Sequence, residues 1–384
     1  MLMVKHNKLT PPPRTDTLAP RTHAKRYDNL DFLKFIAIFL VICRHSTILP
    51  SNFLQAKSPE SFVGYAIQIF LEGVPIFVMI SGFLLLPKKI DIRKYFGKIK
   101  KMFLLIVIWC LLYSICLRFL HGDTLNLRVV ILDFLNLKSV GPIHQSGFLW
   151  YLQSLIGIYI LLPILGYIFS NNKKIYHYLT IVIILCSAGI TTIMLFVNPL
   201  ASLLGMKELP TAIKTFLSAY TPLKGVSFLS FFLVGGEIYL FRDCLKTQKA
   251  KKYAYITLIT SIVVCITYGI VSAFIDPKLY NNYFVYDSIF MLIILVSLYT
   301  ITQDYKKKSF FSKLFCSIGQ NSLGIYLLHI FIIQVFGILQ IRNFALQIPW
   351  GIGVLLENII ILLIAYFMTK ILAKIPYIRK SITM

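Results

Sequence analysis

Four ionisable side chains crowd one apolar stretch near the N-terminus: Asp31, Lys34, Arg44 and His45. The step from Lys34 to His45 is close to three turns of an α-helix, so both share a face, and Asp31 lies one turn earlier on the same stripe. Inside an apolar helix such groups cost several kcal/mol unless paired or hydrated, which makes them functional pointers by default. An imidazole takes and gives a proton near neutral pH, the property of a general base. Structural roles compete with this reading. Asp31 suits a helix N-terminus, Lys34 can snorkel, and His45 can bridge two helices. His45 lies about 21 Å along its helix from Asp31 at 1.5 Å per residue, and at that depth chemistry is favoured over a bridge. For Arg44 an outward snorkel is favoured.

Other candidates recur along the chain. Glu72 precedes Gly73-Val74-Pro75-Ile76-Phe77-Val78-Met79-Ile80-Ser81-Gly82-Phe83. Its depth matches that of His45, so the carboxylate could orient the ring. Pro75 kinks a helix or frees a carbonyl. Ser81-Gly82 allows close helix approach, with Ser81 also a candidate ligand contact. Lys98 and Lys101 are one helical turn apart and could hold a phosphate, against plain contact with lipid headgroups. Ser322, Tyr326 and His329 follow helical spacing on one face; His329 fits substrate contact and helix bridging equally. Trp150 suits a sugar face, though an aromatic belt at a membrane interface is the commoner use. Glu237, Asp287 and Glu357 are further acids in apolar segments with no assignable partner. The seven cysteines are scattered without a C-x-x-C pair, so no metal site is expected.

The elements that must position these residues follow from hydropathy. Of 384 residues, 57% are hydrophobic and 14% charged, well below the charge of an ordinary soluble domain. We read an all-α polytopic membrane protein, a bundle of about ten transmembrane helices. They run over 31–50, 62–86, 101–120, 147–169, 176–198, 224–242, 253–275, 283–302, 318–340 and 351–373. The net charge is +24. The basic residues collect in 1–30, 87–101, 173–174, 242–252, 303–314 and 370–384, while the alternating connections hold few. That alternation places both termini in the cytoplasm and explains the charge without nucleic acid. Residues 1–30 read as a flexible basic arm, 31–375 as one membrane domain and 376–384 as a tail. Leu203–Ser218 suits a short interfacial helix. No internal repeat is visible, which weakens an inverted-repeat transporter.

With these residues in hand, the chain resembles the acyltransferase-3 family of integral membrane acyltransferases. Asp31-Phe32-Leu33-Lys34-Phe35-Ile36-Ala37 followed by His45 is similar to its first motif, with Lys34 where arginine is usual. Gly73 to Phe83 resembles the second motif, and the Pro75 form resembles the branch containing the enterobacterial common antigen O-acetyltransferase. Lys98 and Lys101 fall where the family has an R-x-x-R pair, losing the bidentate geometry of arginine. Phe148-Leu149-Trp150-Tyr151-Leu152 resembles its H-L-W-[FY]-L element with Phe148 in place of His, and Ser322 to His329 its late S-L-[GA]-[IL]-Y-x-x-H element. Glu72 and Arg44 match no family position.

The resemblance implies a membrane O-acyltransferase of the bacterial inner membrane. The donor would be cytoplasmic acetyl-CoA, a co-substrate, and the acceptor a hydroxyl on an envelope glycan or its lipid-linked precursor. On that view Lys98 and Lys101 receive the CoA phosphates. The pantetheine arm, on the order of 20 Å extended, threads between the first two helices past Asp31 and Lys34. His45 accepts the hydroxyl proton, with Glu72 or another acid, assigned from depth and not from the family, setting its tautomer, and Ser81, Trp150, Tyr326 and His329 contact donor or substrate. Membrane lipids are partners, and a homo-oligomer is left open. The alternative is a glycan or lipid transporter without chemistry.

Overall fold

The computed structural model describes residues 26–46, 73–89, 91–122, 128, 131, 147–219, 227–275, 286–348 and 352–375. The expected basic arm and tail lie almost wholly outside them, and so does Glu72. Thirteen helices carry the described chain, with no strand among the described residues. We number them α1 (Asp28–Ser46), α2 (Val74–Leu85), α3 (Ile92–His121), α4 (Trp150–Asn171) and α5 (Lys173–Leu203). There follow α6 (Leu209–Ala219), α7 (Ser227–Phe241), α8 (Gln248–Ile275) and α9 (Ile289–Thr302). The last four are α10 (Phe310–Gln320), α11 (Ser322–Ile338), α12 (Ile341–Gln347) and α13 (Ile352–Leu372).

Local chemistry sets many of the ends. The Asp91 carboxylate caps α3 by accepting from Lys94 N at 3.2 Å and pairing with Lys94 Nζ at 3.0 Å. Those bonds to Lys94 hold its carboxyl below its ordinary pKa. Gly122 closes the same helix in the left-handed conformation at φ 72°. Asn172 separates α4 from α5 and caps the latter through Ile175 N. Inside α5, Leu185–Gly189 forms a π turn.

Each apolar segment expected from hydropathy coincides in part with a described helix, with 47–50, 62–72, 224–226, 283–285 and 351 lying outside the described residues. Five helices are long and apolar enough to cross a membrane: α3, α4, α5, α8 and α13. A sixth span results if α10 and α11 are taken together. Three shorter apolar helices, α2, α7 and α9, join them. At 19 residues α1 is long enough but carries Asp28, Asp31, Lys34 and Arg44. One expectation changes. The segment over 318–340 is a helix pair bent by 80° at Asn321, where the Asn321 amide donates to Ser317 O at 2.7 Å. The stretch before Gly73, where a kink at Pro75 or a carbonyl freed by it would fall, lies outside the described residues; within α2, Pro75 is at the start. It sits in the first turn, where the missing N–H has no intrahelical partner to lose. The short helix expected over Leu203–Ser218 appears as α6, with none of its residues buried.

The core forms where small residues let backbones meet. A Cβ on Gly82 of α2 would collide with the Phe232 carbonyl of α7, and one on Gly235 of α7 would collide with the Met79 carbonyl of α2. The two helices thus interlock through reciprocal glycines. Helix α1 packs against α2, α10, α11 and α13, and Gly319 of α10 lies directly on the Asp31 carbonyl. The Ser46 hydroxyl donates to Asn358 Oδ1 of α13, tying down the far end of α1.

Candidate active site

Helix α1 carries a cavity at each end. At the Lys34 end, one cavity of about 300 Å³ is walled by Lys34, Ser81, Lys88, Tyr151, Gln320 and Ser322 among others. A second, of about 510 Å³, adds Arg26, Asp31 and Tyr239; Lys34, Leu84 and Lys88 line both. At the other end a cavity of about 400 Å³ is lined by Arg44, His45, Gly73, Trp150, Asp287 and Tyr326, with further aromatic side chains. Lys34 and His45 thus share a helix but open into different cavities, about 16 Å apart along α1 at 1.5 Å per residue.

The Lys34 end is ordered by one buried carboxylate. Asp31 accepts from Arg26 Nε at 2.9 Å and from Gln320 Nε2 at 2.9 Å, and pairs with Lys34 Nζ at 3.5 Å. Gln320 arrives from α10 because Gly319 lets that helix touch the α1 backbone. The cations Arg26, Lys34 and Lys88 thus line this end against one acid, Asp31, a balance suited to an anionic ligand. Lys98 and Lys101 are exposed on the first turns of α3 and line none of these cavities. Lys98 lies over the Tyr95 ring at 5.1 Å and is close enough to Lys88 for their charges to interact. Ser81 lines the cavity with its hydroxyl donating back to Phe77 O at 2.9 Å; its neighbour Gly82 makes the helix contact.

At the other end the His45 ring is exposed to its cavity rather than packed in the core. Behind it stands His329 of α11, fully buried, with ring centroids 5.2 Å apart. His329 Nδ1 is 2.6 Å from the Tyr326 carbonyl oxygen. A carbonyl only accepts, so Nδ1 carries a proton and the neutral ring keeps a lone pair on Nε2. That nitrogen is buried without a hydrogen-bond partner among the described residues. Phe148 stands edge-on to His329 at 5.6 Å and to Tyr326 at 5.5 Å. The Tyr326 hydroxyl donates to the Phe148 carbonyl. Gly73 and Val74, next in sequence to Glu72, line the same cavity.

Sequence reasoning passed over Lys88, Gln320 and His177. In the sequence Lys88 is one of the basic residues of 87–101 and Gln320 carries no assigned role. Nothing local marks either as pointing at Asp31 or into a cavity. The acids in apolar segments now have neighbours. Glu237 Oε2 lies 2.8 Å from His177 Nδ1, Glu357 lies 4.0 Å from Arg342, and Asp287 lines the His45 cavity. Among the described residues, no group of three or more metal-ligating side chains forms a site.

An all-helical, multi-pass membrane protein with a cationic cavity at one end of a helix and a histidine pair at the other is the class that fold and site define. The acyltransferase domain model of acyltransferase family 3 matches residues 27–375. The chain belongs to this family, and its activity is therefore membrane acyl transfer. No curated protein and no solved structure matches it.

Proposed function

We propose that the chain is a membrane O-acyltransferase that moves acetyl from cytoplasmic acetyl-CoA to a hydroxyl of a bacterial envelope glycan or its lipid-linked precursor. One observation carries the reading: in a chain of an acyltransferase family, α1 joins a cavity rimmed by Arg26, Lys34 and Lys88 to a cavity holding His45. Anionic CoA suits the first and a sugar suits the second. Ten crossings of the inner membrane with both termini in the cytoplasm put the cationic cavity on the side where CoA is found, as the clustering of Lys and Arg supports. The Pro75 form supports the branch of the enterobacterial common antigen O-acetyltransferase.

In this mechanism Lys34 and Lys88 receive the CoA phosphates, with Lys98 and Lys101 drawing the anion toward them. The pantetheine arm lies between α1 and α2. His45 takes the proton of the acceptor hydroxyl as its oxygen bonds to the thioester carbon. The carbon–sulfur bond then breaks, and the imidazolium returns the proton to the CoA sulfur. His329 is given the orienting part: its Nε2 lone pair, unpartnered among the described residues and behind the His45 ring, is the acceptor a turn of that ring would engage, which would leave the other His45 nitrogen free for the hydroxyl. Trp150 and Tyr326 give the sugar apolar faces.

The test is purified protein with labelled acetyl-CoA and candidate envelope glycans. Label appearing on glycan, and lost in His45→Ala at normal protein level, supports the proposal; undiminished transfer by His45→Ala overturns the role of that ring. Glycan analysis of knockout cells separates the transporter alternative, which would remove whole glycans rather than acetyl groups.

A further inference from the structure

The cavity that suits the donor and the cavity that holds His45 have no lining residue in common. Their walls meet at two rings. Tyr151 of α4 lines the donor side, Tyr326 of α11 lines the His45 side, and the rings touch edge to face at 5.6 Å between centroids and 75° between planes. Both are buried. Tyr326 is fastened by its hydroxyl to the Phe148 carbonyl and flanked by the Phe148 ring. Tyr151 is backed by Phe77 at 6.1 Å. Tyr151 thus stands on the Lys34 side of the ring contact and Tyr326 on the His45 side.

We propose that the Tyr151–Tyr326 ring pair is the specificity determinant for the acyl group: it limits the acyl chain to a short one and keeps water in the His45 cavity away from the thioester. This rests on the donor and acceptor assignments made above. The physical argument is volume and anchoring. Tyr326 is held through its hydroxyl by the Phe148 carbonyl and Tyr151 through a side-chain hydrogen bond to Ser81, so passage requires one of two anchored rings to yield. A displaced ring opens a gap of limited width. Acetyl presents one methyl beyond the carbonyl, whereas each added methylene must also fit between the rings. In a closed pocket one methylene is worth about 10–200-fold in discrimination. On the His45 side Tyr326 faces an open cavity. If the rings part without an acceptor present, the oxygen of water bonds to the thioester carbon, the carbon–sulfur bond breaks, and acetate and free CoA thiol result, the sulfur taking one proton of the water and the other passing to solvent.

The experiment uses full-length protein in detergent, with acetyl-, butyryl- and hexanoyl-CoA, followed by free thiol release with and without glycan acceptor. Wild type is expected to favour acetyl-CoA strongly and to release little thiol without acceptor. Tyr151→Ala is expected to raise butyryl transfer relative to acetyl by at least about tenfold and to raise acceptor-free thiol release. Tyr151→Phe, which keeps the ring, retains the wild-type acyl preference. Tyr326→Phe keeps both rings and removes only the bond to the Phe148 carbonyl, so it provides a milder variant should Tyr151→Ala not fold; its acceptor-free release is expected to fall between the two. If wild type transfers acetyl but Tyr326→Phe and any folded Tyr151→Ala show its acyl preference and its acceptor-free release, the proposal for the rings is overturned while the acyltransferase reading stands. If wild type neither transfers acetyl nor releases thiol from any of the donors, the underlying reading falls and takes this one with it.

Discussion

Replacing Asp31 by asparagine tests how the donor end is held. The side chain is 6% exposed and receives Arg26 at 2.9 Å, Gln320 at 2.9 Å and Lys34 at 3.5 Å. Asparagine keeps the shape and one accepting oxygen, so the Gln320 bond can survive. Both ionic contacts lose their charge. Arg26 is 56% exposed, and water screens that pair to about 0.5 kcal/mol. Lys34, at 26% exposed, sits at the low end for a hydrogen bond to a charged group, about 1.5 kcal/mol. The total is about 2 kcal/mol of stability. Lys34 also lines both cavities at its end, so releasing it removes order where the CoA anion would bind. About 1 kcal/mol of lost orientation corresponds to roughly a fivefold rise in KM for acetyl-CoA, with kcat much less affected. The assay pairs thermal unfolding in detergent with initial rates across acetyl-CoA concentration. Wild-type unfolding temperature and KM in Asp31→Asn would refute the claim that this carboxylate organises the donor end.

Further expectations concern single sites. His45→Ala should lower kcat by about 10²–10⁴-fold at normal yield, read as label transferred to glycan. His329→Ala should lower kcat with little change in KM and shift the pH–rate profile, because it acts through His45; an unmoved profile would make it a packing residue. Lys88→Glu should abolish thermal protection by acetyl-CoA, whereas Lys98→Glu with Lys101→Glu should weaken it, since only Lys88 lines the cavities. Gly82→Val should destabilise by at least about 1–3 kcal/mol, because its Cβ meets the Phe232 carbonyl. Gly97→Ala, where a Cβ meets nothing within 4 Å, should be neutral or stabilising by about 0.5–1 kcal/mol; comparing the two unfolding temperatures checks both.

The apolar character of the segments and the pairing of Asp31 with Lys34 one turn on were readable from sequence alone, because hydropathy and helical spacing are local properties that a single strand of residues carries with it. The motif order from Asp31 to His329 was readable for the same reason, and so was membership in an acyltransferase family. What joins the segments was not. Whether His329 stands behind His45, whether Gln320 reaches Asp31, and whether Tyr151 meets Tyr326 depend on how each helix is rotated and how closely its backbone approaches the next. Glycines at 82, 235 and 319 set those approaches, yet each glycine looks alike in a sequence until the carbonyl it admits is known. The bend at Asn321 belongs to the same category, since a continuous apolar run conceals a change of direction. Residue type and spacing thus decided which groups are able to do chemistry. Tertiary packing decided which of them share a cavity and which two rings meet between the two cavities.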